Sequence, residues 1–550
     1  MPHNSSQWVN HQFTGGWATD FGKTFYGSPE GGNLALPWLN RAENIQYTLD
    51  GKIKKAPGSN YYNSVASNST LRSLNGNTNI RGIDEYTRTG TSGSPSTQLI
   101  IACGEDYFQF SSSTNTRIGT RDIQPGAEFE FPHFSTFNDL LILADSGTEG
   151  TGGSIPYSWD QTTFQPLTGG PPDFAFSTPH RGRHWAAGDP AAPSRLYYSV
   201  VGDPEDWIGA GSGSIDIDPG DGDSIVGLWS WKEQLWVFKG DKKLSIHRIS
   251  GSTSSDFSRT NFITGISAAG QRSIFSYGDD IYFWNPHGSL HSLKATDTYG
   301  DYTQAYLNYP ILSWCRDNMD FYSSQSAVFP ITGYGLTNFR SGSYPEDSRY
   351  GATHNNLSML IDFRFIAHEQ YPRFALWPYL KCQSVAYAKK RDNRPALILG
   401  DGDGQVFELD GSEGVDDAGA TYGHRGLDIT ATTQTPLLTY GNPIETKTLV
   451  HVGINLAPDE HHTSTINVAW NDETGFAQST SVTRSFGVPL GTFVLGTDSL
   501  GTYGSRLASI EPMHGDFRSI QYTLSETSDK KIIIQSFSSL FTPSGESLEA

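Results

Sequence analysis

The chain has 550 residues, with 38 Lys and Arg against 58 Asp and Glu and a net charge of −20. That acidic surplus excludes a surface built to wrap DNA, which needs clustered Lys and Arg to neutralise phosphate. Charged residues are only 17% of the total, while Gly (59), Pro (29) and aromatics (13%) are frequent, so composition points to an all-β protein with many turns, in two or three domains.

In chain order, residues 1–64 carry turn residues and scattered aromatics with little periodicity, and read as an extended N-terminal arm. The opening MPHNSSQWVNHQF has neither the basic nor the apolar region of a signal peptide, and no run of about 18 apolar residues occurs. The expectation is a soluble, non-secreted chain without membrane insertion. A unit then recurs: apolar run, polar turn, apolar run. It is clear in TQLIIACGEDYFQFS (97–111), WSWKEQLWVFKGDKKLSIHRIS (229–250), YGDDIYFWNPHGSLHSLKA (277–295) and RPALILGDGDGQVFELDG (394–411). It is weaker in FNDLLILADSGTEG (137–150) and RGRHWAAGDPAAPSRLYYSV (181–200).

The first strands of these units start at Leu99, Leu140, His184, Leu235, Ile281 and Leu397, at intervals of 41, 44, 51, 46 and 116 residues. A period of roughly 40–50 residues with a hairpin in each unit is the pattern of a β-propeller, whose blades cannot bury both faces alone and stack around an axis. The spacing predicts six to seven blades over 65–415, with Leu235 and Val237 facing a blade interface and Ile281 and Leu397 as their counterparts. The longest interval takes about two blades plus an insertion around 300–380, where YTQAYLNYPILSWCRDN would hold the one substantial helix. Past an Asp/Gly-rich joint, GSEGVDDAGATYGHRG, alternating segments at 447–456, 464–471, 518–525 and 531–539 predict a C-terminal β-sandwich-like domain over 416–550.

Motifs that resemble chemical sites fail on their details. FGKT (21–24) ends like a phosphate loop, but Trp17 stands where the first Gly is needed and no strand precedes it. SIDIDPGDGDSI (214–225) and GDGDGQVFELD (400–410) look like calcium loops yet lack the Gly at the sixth EF-hand position, so they read as hairpin turns. An adventitious cation on Asp216, Asp218, Asp221 and Asp223 is the alternative. DEHH (459–462) has no second ligand cluster and reads as a loop. SWDQTTF (158–164) partly matches the structural Asp-box turn of sialidase propellers, with Thr162 at its Gly position. Cys103, Cys315 and Cys382 form no CxxC and are expected to be buried thiols. No nucleophile–base pair, cofactor site or metal site emerges, and nothing calls for an enzyme.

Several stretches in order carry a resemblance: FTGGWATDFGKT (13–24), NRAENIQYTLDGKIKKAPG (40–58), IRGIDEYTR (80–88), LIIACGEDYFQF (99–110), HRGRHWAAGDPAAPSRLYYSVVGDPEDW (180–207) and GDGDSIVGLWSWKEQLWVFK (220–239). Together they resemble bacteriophage tail propeller proteins, particularly the nozzle or tubular tail proteins of short-tailed phages. The resemblance implies that Gly182, Arg183, Tyr197, Tyr198, Ser199, Gly202, Asp203, Pro204 and Trp207 are blade-framework positions, structural rather than catalytic, with Arg183 and Asp203 a candidate pair. His184 stands where an aliphatic strand residue is commoner, and Ala56 interrupts a basic run.

The resemblance further implies six copies in a ring around the DNA channel of a virion tail, assembled in the host bacterial cytoplasm. The expected partners are the adaptor ring and tail fibres or other tail proteins, and the expected roles are head-to-tail assembly and genome ejection. Six chains at −20 each would bring about −120 charges, repelling phosphate so that DNA passes without being held. The basic stretches Lys52–Lys55, Lys242-Lys243 and Lys389–Arg391 would then serve contacts with neighbours. Two alternatives stand beside this: a carbohydrate-binding propeller or glycosidase engaging host polysaccharide, and a WD-type scaffold, which would need a Gly-His…Trp-Asp signature that is absent.

Overall fold

The structure is a computed structural model that describes the chain except residues 1–6, 26–32, 63–70, 91–94, 112–113, 122–130, 146–154, 241, 300–305, 345–354, 370, 390–393, 410–422, 425–426, 457–462, 476, 486–506, 511–515, 529–530 and 544–550. Six separate antiparallel sheets form propeller blades. Four of them, over 80–120, 132–166, 176–216 and 224–264, are four-stranded meanders, and the fifth, over 274–292, has three strands. The sixth is made of Ser384–Lys389, Pro395–Gly400 and Val406–Leu409, and its fourth strand is Ser59–Tyr61 from near the N-terminus.

All six positions that set the repeat in the sequence lie on the second strand of a blade. Physics explains why that strand is the visible one. In the fourth blade it is Gln234–Gly240. Leu235 and Val237 pack with Trp185 and Leu196 of the third blade, while Trp236 and Phe238 pack with Ile281 and Phe283 of the fifth. A strand covered on both faces reads as a continuous apolar run. Leu235, Val237 and Ile281 are fully buried, and Leu397 nearly so.

The region 300–380 differs from the expected helical insertion. Its helices are short: Leu312–Asn318 has seven residues and Ile366–Glu369 has four, and Leu293–Tyr299, just before the region, has seven. The bulk is a four-stranded meander of Asp320–Phe329, Tyr334–Arg340, Leu357–Asp362 and Arg373–Trp377. Its first strand packs between Ile274–Tyr277 and Ser384–Lys389, filling the remaining sector of the ring. The alternation is hidden because buried positions here are polar. Ser358 Oγ donates to Asn338 Oδ1 (2.7 Å), and Trp284 Nε1 donates to Thr337 Oγ1 (3.1 Å), all four residues being buried.

The outer strand of this meander, Arg373–Trp377, pairs with Arg41–Glu43, which pairs in turn with Leu427–Gln434. One 12-stranded sheet thus runs from the propeller into the C-terminal region. A second, eight-stranded sheet places Gln7–Phe13 between Asn33–Leu36 and Ile533–Pro543. The N-terminal segment is extended, and its strands are built into these sheets. His11 sits fully buried at this seam, stacked on Phe537 at 4.1 Å and hydrogen-bonded with Ser539 Oγ (2.9 Å). Burial pushes its pKa down to about 3, so the ring is neutral. The cysteines are buried thiols without a disulfide, and burial pushes the Cys315 thiol up to about 12.

Candidate functional site

The nine residues singled out by resemblance gather in the third blade and its loops. Gly182 takes φ +70° in the hairpin turn, where a side chain would be strained, and its carbonyl accepts from Gly202 N (2.7 Å). Ser199 Oγ accepts from His184 N (3.0 Å). Tyr198 packs on Trp185 at 4.9 Å, and the Tyr197 hydroxyl donates to Asp189. Trp207 is buried beside Phe174, its Nε1 donating to Pro204 O (3.0 Å). Arg183 does not pair with Asp203. Its Nη1 donates to the carbonyls of Ser199 (2.7 Å) and Gly211 (2.6 Å), while Asp203 Oδ1 accepts from Glu205 N (2.9 Å). The two side chains serve separate turns because each finds backbone partners close by. His184, the unexpected strand residue, is fully buried and shares a hydrogen bond with Ser135 Oγ (2.9 Å).

The acidic loop 214–225 is organised around an ammonium group. Lys239, at the end of the apolar run LWVFK, is fully buried, and its Nζ donates to Ile217 O (2.7 Å), Asp218 O (3.1 Å) and both oxygens of Asp221 (2.8 and 2.9 Å). Asp216 pairs with Arg195 (2.7 Å), Asp218 with Arg259, and Asp223 accepts from the amides of Lys242 (2.7 Å) and Leu244 (2.9 Å). Each carboxylate already has a cationic or amide partner where a metal would bind. Treatment with EDTA is therefore expected to leave the melting temperature within about 1 °C. A fall of many degrees would instead reveal a bound ion. The DEHH segment lies outside the described residues.

A further concave feature is the propeller channel. Two cavities of about 540 and 400 Å³ are lined by the first strands of the blades, including Gly82–Asp84, Pro132–Phe134, Ser224–Val226, Ile274–Ser276 and Val385–Tyr387. The two share Pro132, His133, Gln271 and Arg272. Gly82 permits the close approach here, since a Cβ would lie 2.4 Å from Pro132 Cγ.

Arg272 comes from a single 3-10 turn, Gln271–Ser273. Gln271 anchors that turn to the fourth blade, accepting from Leu228 N (2.7 Å) and donating to Leu228 O (3.1 Å). The Arg272 guanidinium lies 3.6 Å from the centre of the Phe131 ring, and its Nη2 donates to Gln325 Oε1 and to Gln383 O (3.3 Å). Gln325 is itself clamped to Val385, accepting from its N and donating to its O (3.1 Å each). Burial, and then the Arg81 and Arg121 cations, push the Arg272 pKa well below the ordinary arginine value. His133 Nε2 donates to Ser177 O (2.7 Å), and burial pushes that ring down to about 4. Arg272 was not legible in the sequence, because Gln325 and Gln383, which hold it, lie far along the chain.

Asp84, in the smaller cavity, has its pKa pushed up to about 7 by burial, partly offset by the hydrogen bond from Glu85 N (2.9 Å). A carboxyl group raised in the folded state holds its proton where the unfolded chain has released it. Its contribution to stability therefore falls as pH rises from about 4 to 7 and stays lost above that. Asp84→Asn is expected to melt higher than the parent at pH 8, with the difference vanishing near pH 4. Equal melting at both pH values would place Asp84 in water.

The sequence matches no protein-family model and no curated protein. Solved structures give distant likenesses. BBS1N, in its complex with ARL6DN, is 10% identical with a TM-score of 0.38, covering 64% of this chain and 96% of that one. An exo-β-1,3-galactanase from Phanerochaete chrysosporium is 10% identical with a TM-score of 0.24, covering 86% and 99%. A further glycoside hydrolase is 10% identical with a TM-score of 0.23, covering 84% and 98%. At these scores none of the three bears on what the chain does.

Proposed function

We propose that the chain is a structural component of a bacteriophage tail, one stave of a six-membered ring or nozzle around the DNA exit path. The reading rests on the ordered resemblance across 13–240. The observation that carries it furthest is mechanical: a single 12-stranded sheet joins the propeller meander to both terminal regions. A propeller tied to its terminal regions by one continuous sheet is suited to a symmetric ring. DNA would run between copies, since a 540 Å³ cavity cannot admit a duplex whose major groove alone is about 12 Å wide.

The glycosidase alternative asks for two carboxyl groups facing one site at about 5–10 Å. Among the described residues, the larger cavity is lined by one carboxylate, Asp189, and the smaller by one, Asp84. Asp189 is already occupied by the Tyr197 hydroxyl and Ala191 N (2.8 Å). Of the basic stretches expected to meet neighbours, Lys55 is instead buried inside the chain against Glu526.

Three measurements test the proposal. Electron microscopy of the purified protein should show closed rings, and virion fractionation should find it at fixed stoichiometry. The isolated chain should show no measurable binding to linear duplex DNA at physiological salt. A micromolar, strongly salt-dependent affinity would mark a nucleic-acid binder instead.

A further inference from the structure

Arg272 presents an unusual balance of charge. It is a half-buried cation in the channel wall, and no carboxylate lies within ion-pairing distance of it among the described residues. Its neighbours of like sign are Arg81, whose guanidinium lies 5.0 Å from the same Phe131 ring, and Arg121. Arg121 is neutralised by Asp145 and Arg81 has contacts of its own, but Arg272 Nη1 is buried without any hydrogen-bond partner.

Burying a guanidinium is costly unless it is paired, and proteins pair such groups almost without exception. Here the rest of the group is held in place. Nη2 is tied to Gln325 and to Gln383 O, the flat face rests on Phe131, and the supporting turn is pinned to Leu228. The residue lines two cavities that have room for a small solute, the larger equivalent to many water molecules. A planar donor fixed in this way, with one arm unused and a second arginine nearby, is the arrangement that recognises oxyanions.

We propose that the propeller channel binds a small oxyanion, of phosphate or carboxylate type, through Arg272 in the wall shared by its two cavities. The anion would supply Arg272 with the counter-charge it lacks among the described residues, and would bridge the turn 271–273 to the blades around it. The inference does not depend on the ring reading: either can fail without the other.

The test uses the full chain and simple anions. Thermal melting and titration calorimetry are run with inorganic phosphate, sulfate and acetate, with chloride at matched ionic strength as reference. Phosphate or acetate is expected to raise the melting temperature saturably above chloride, and the better of the two identifies the class. Arg272→Gln should weaken that affinity at least about tenfold, and Gln325→Ala, which keeps the cation but frees its anchor, should weaken it less. A crystal soaked in selenate should place the anomalous scatterer beside Arg272. If Arg272→Gln does not fold, Gln325→Ala and the soak decide. The proposal is overturned if no anion exceeds chloride, if both variants bind like the parent, or if selenate sits elsewhere.

Discussion

Leu235→Asp is expected to lower stability by about 5 kcal/mol or more, enough to abolish the cooperative melt of the propeller. Leu235 is fully buried between the third and fourth blades, opposite Ile249 and in the cluster that holds Trp185 and Leu196. The substitution removes a packed side chain and puts a carboxylate where no donor is available. Each change alone is among the costliest a core can suffer. Circular dichroism against temperature reads the result directly. Val201→Asp is the control, because Val201 is 58% exposed and should move the melt little. If the two variants melt alike, the blade register is wrong.

The second large effect lies at the junction of the chain ends. Lys55 Nζ donates to Glu526 Oε2 at 2.8 Å and to Ser528 O (2.5 Å), with both charged side chains almost completely buried. The Oε1 atom of Glu526 has no partner at all. Lys55→Met would leave that carboxylate desolvated with nothing opposite it, a loss of about 3–5 kcal/mol. Changing both residues, Lys55→Met with Glu526→Leu, should recover most of the loss, since an apolar pair of similar volume often replaces a buried ion pair without penalty. Limited proteolysis separates these outcomes: the single variant should be cleaved early near residues 41–61, and the double variant should resist like the parent. Equal resistance of all three would mean that the pair adds nothing to the seam.

How far the sequence could be read follows from where each strand sits. Second strands of blades, such as Gln234–Gly240, are apolar on both faces and announce themselves. The meander 320–377 did not, because Thr337, Asn338 and Ser358 are buried polar residues, with Ser358 Oγ donating to Asn338 Oδ1 and Trp284 Nε1 to Thr337 Oγ1. Strands such as Arg41–Glu43, Ile53–Lys55 and Ser59–Tyr61 have three residues each, too few for any period to show. The candidate site was less legible still. Arg272 and Asp84 owe their character to elements from several blades meeting at the channel, and Lys239 to a loop that precedes it by some twenty residues. Spacing along the chain carries none of that.

The closure of the sixth blade has a consequence for how the protein is made. Tyr61 pairs with Phe407, and in the neighbouring sheet Val9 pairs with Ser539. During synthesis at roughly 5–20 residues per second, Tyr61 would wait tens of seconds for its partner. Until then the first five blades stand as an open arc with a bare edge, beside other nascent chains carrying the same edge. Such a state invites a strand from a second copy to take the vacant place. The waiting strand is only three residues long, which limits how firmly a wrong partner can be held. The emergence of Val406–Leu409 thus decides whether each chain closes its sixth blade on its own strand.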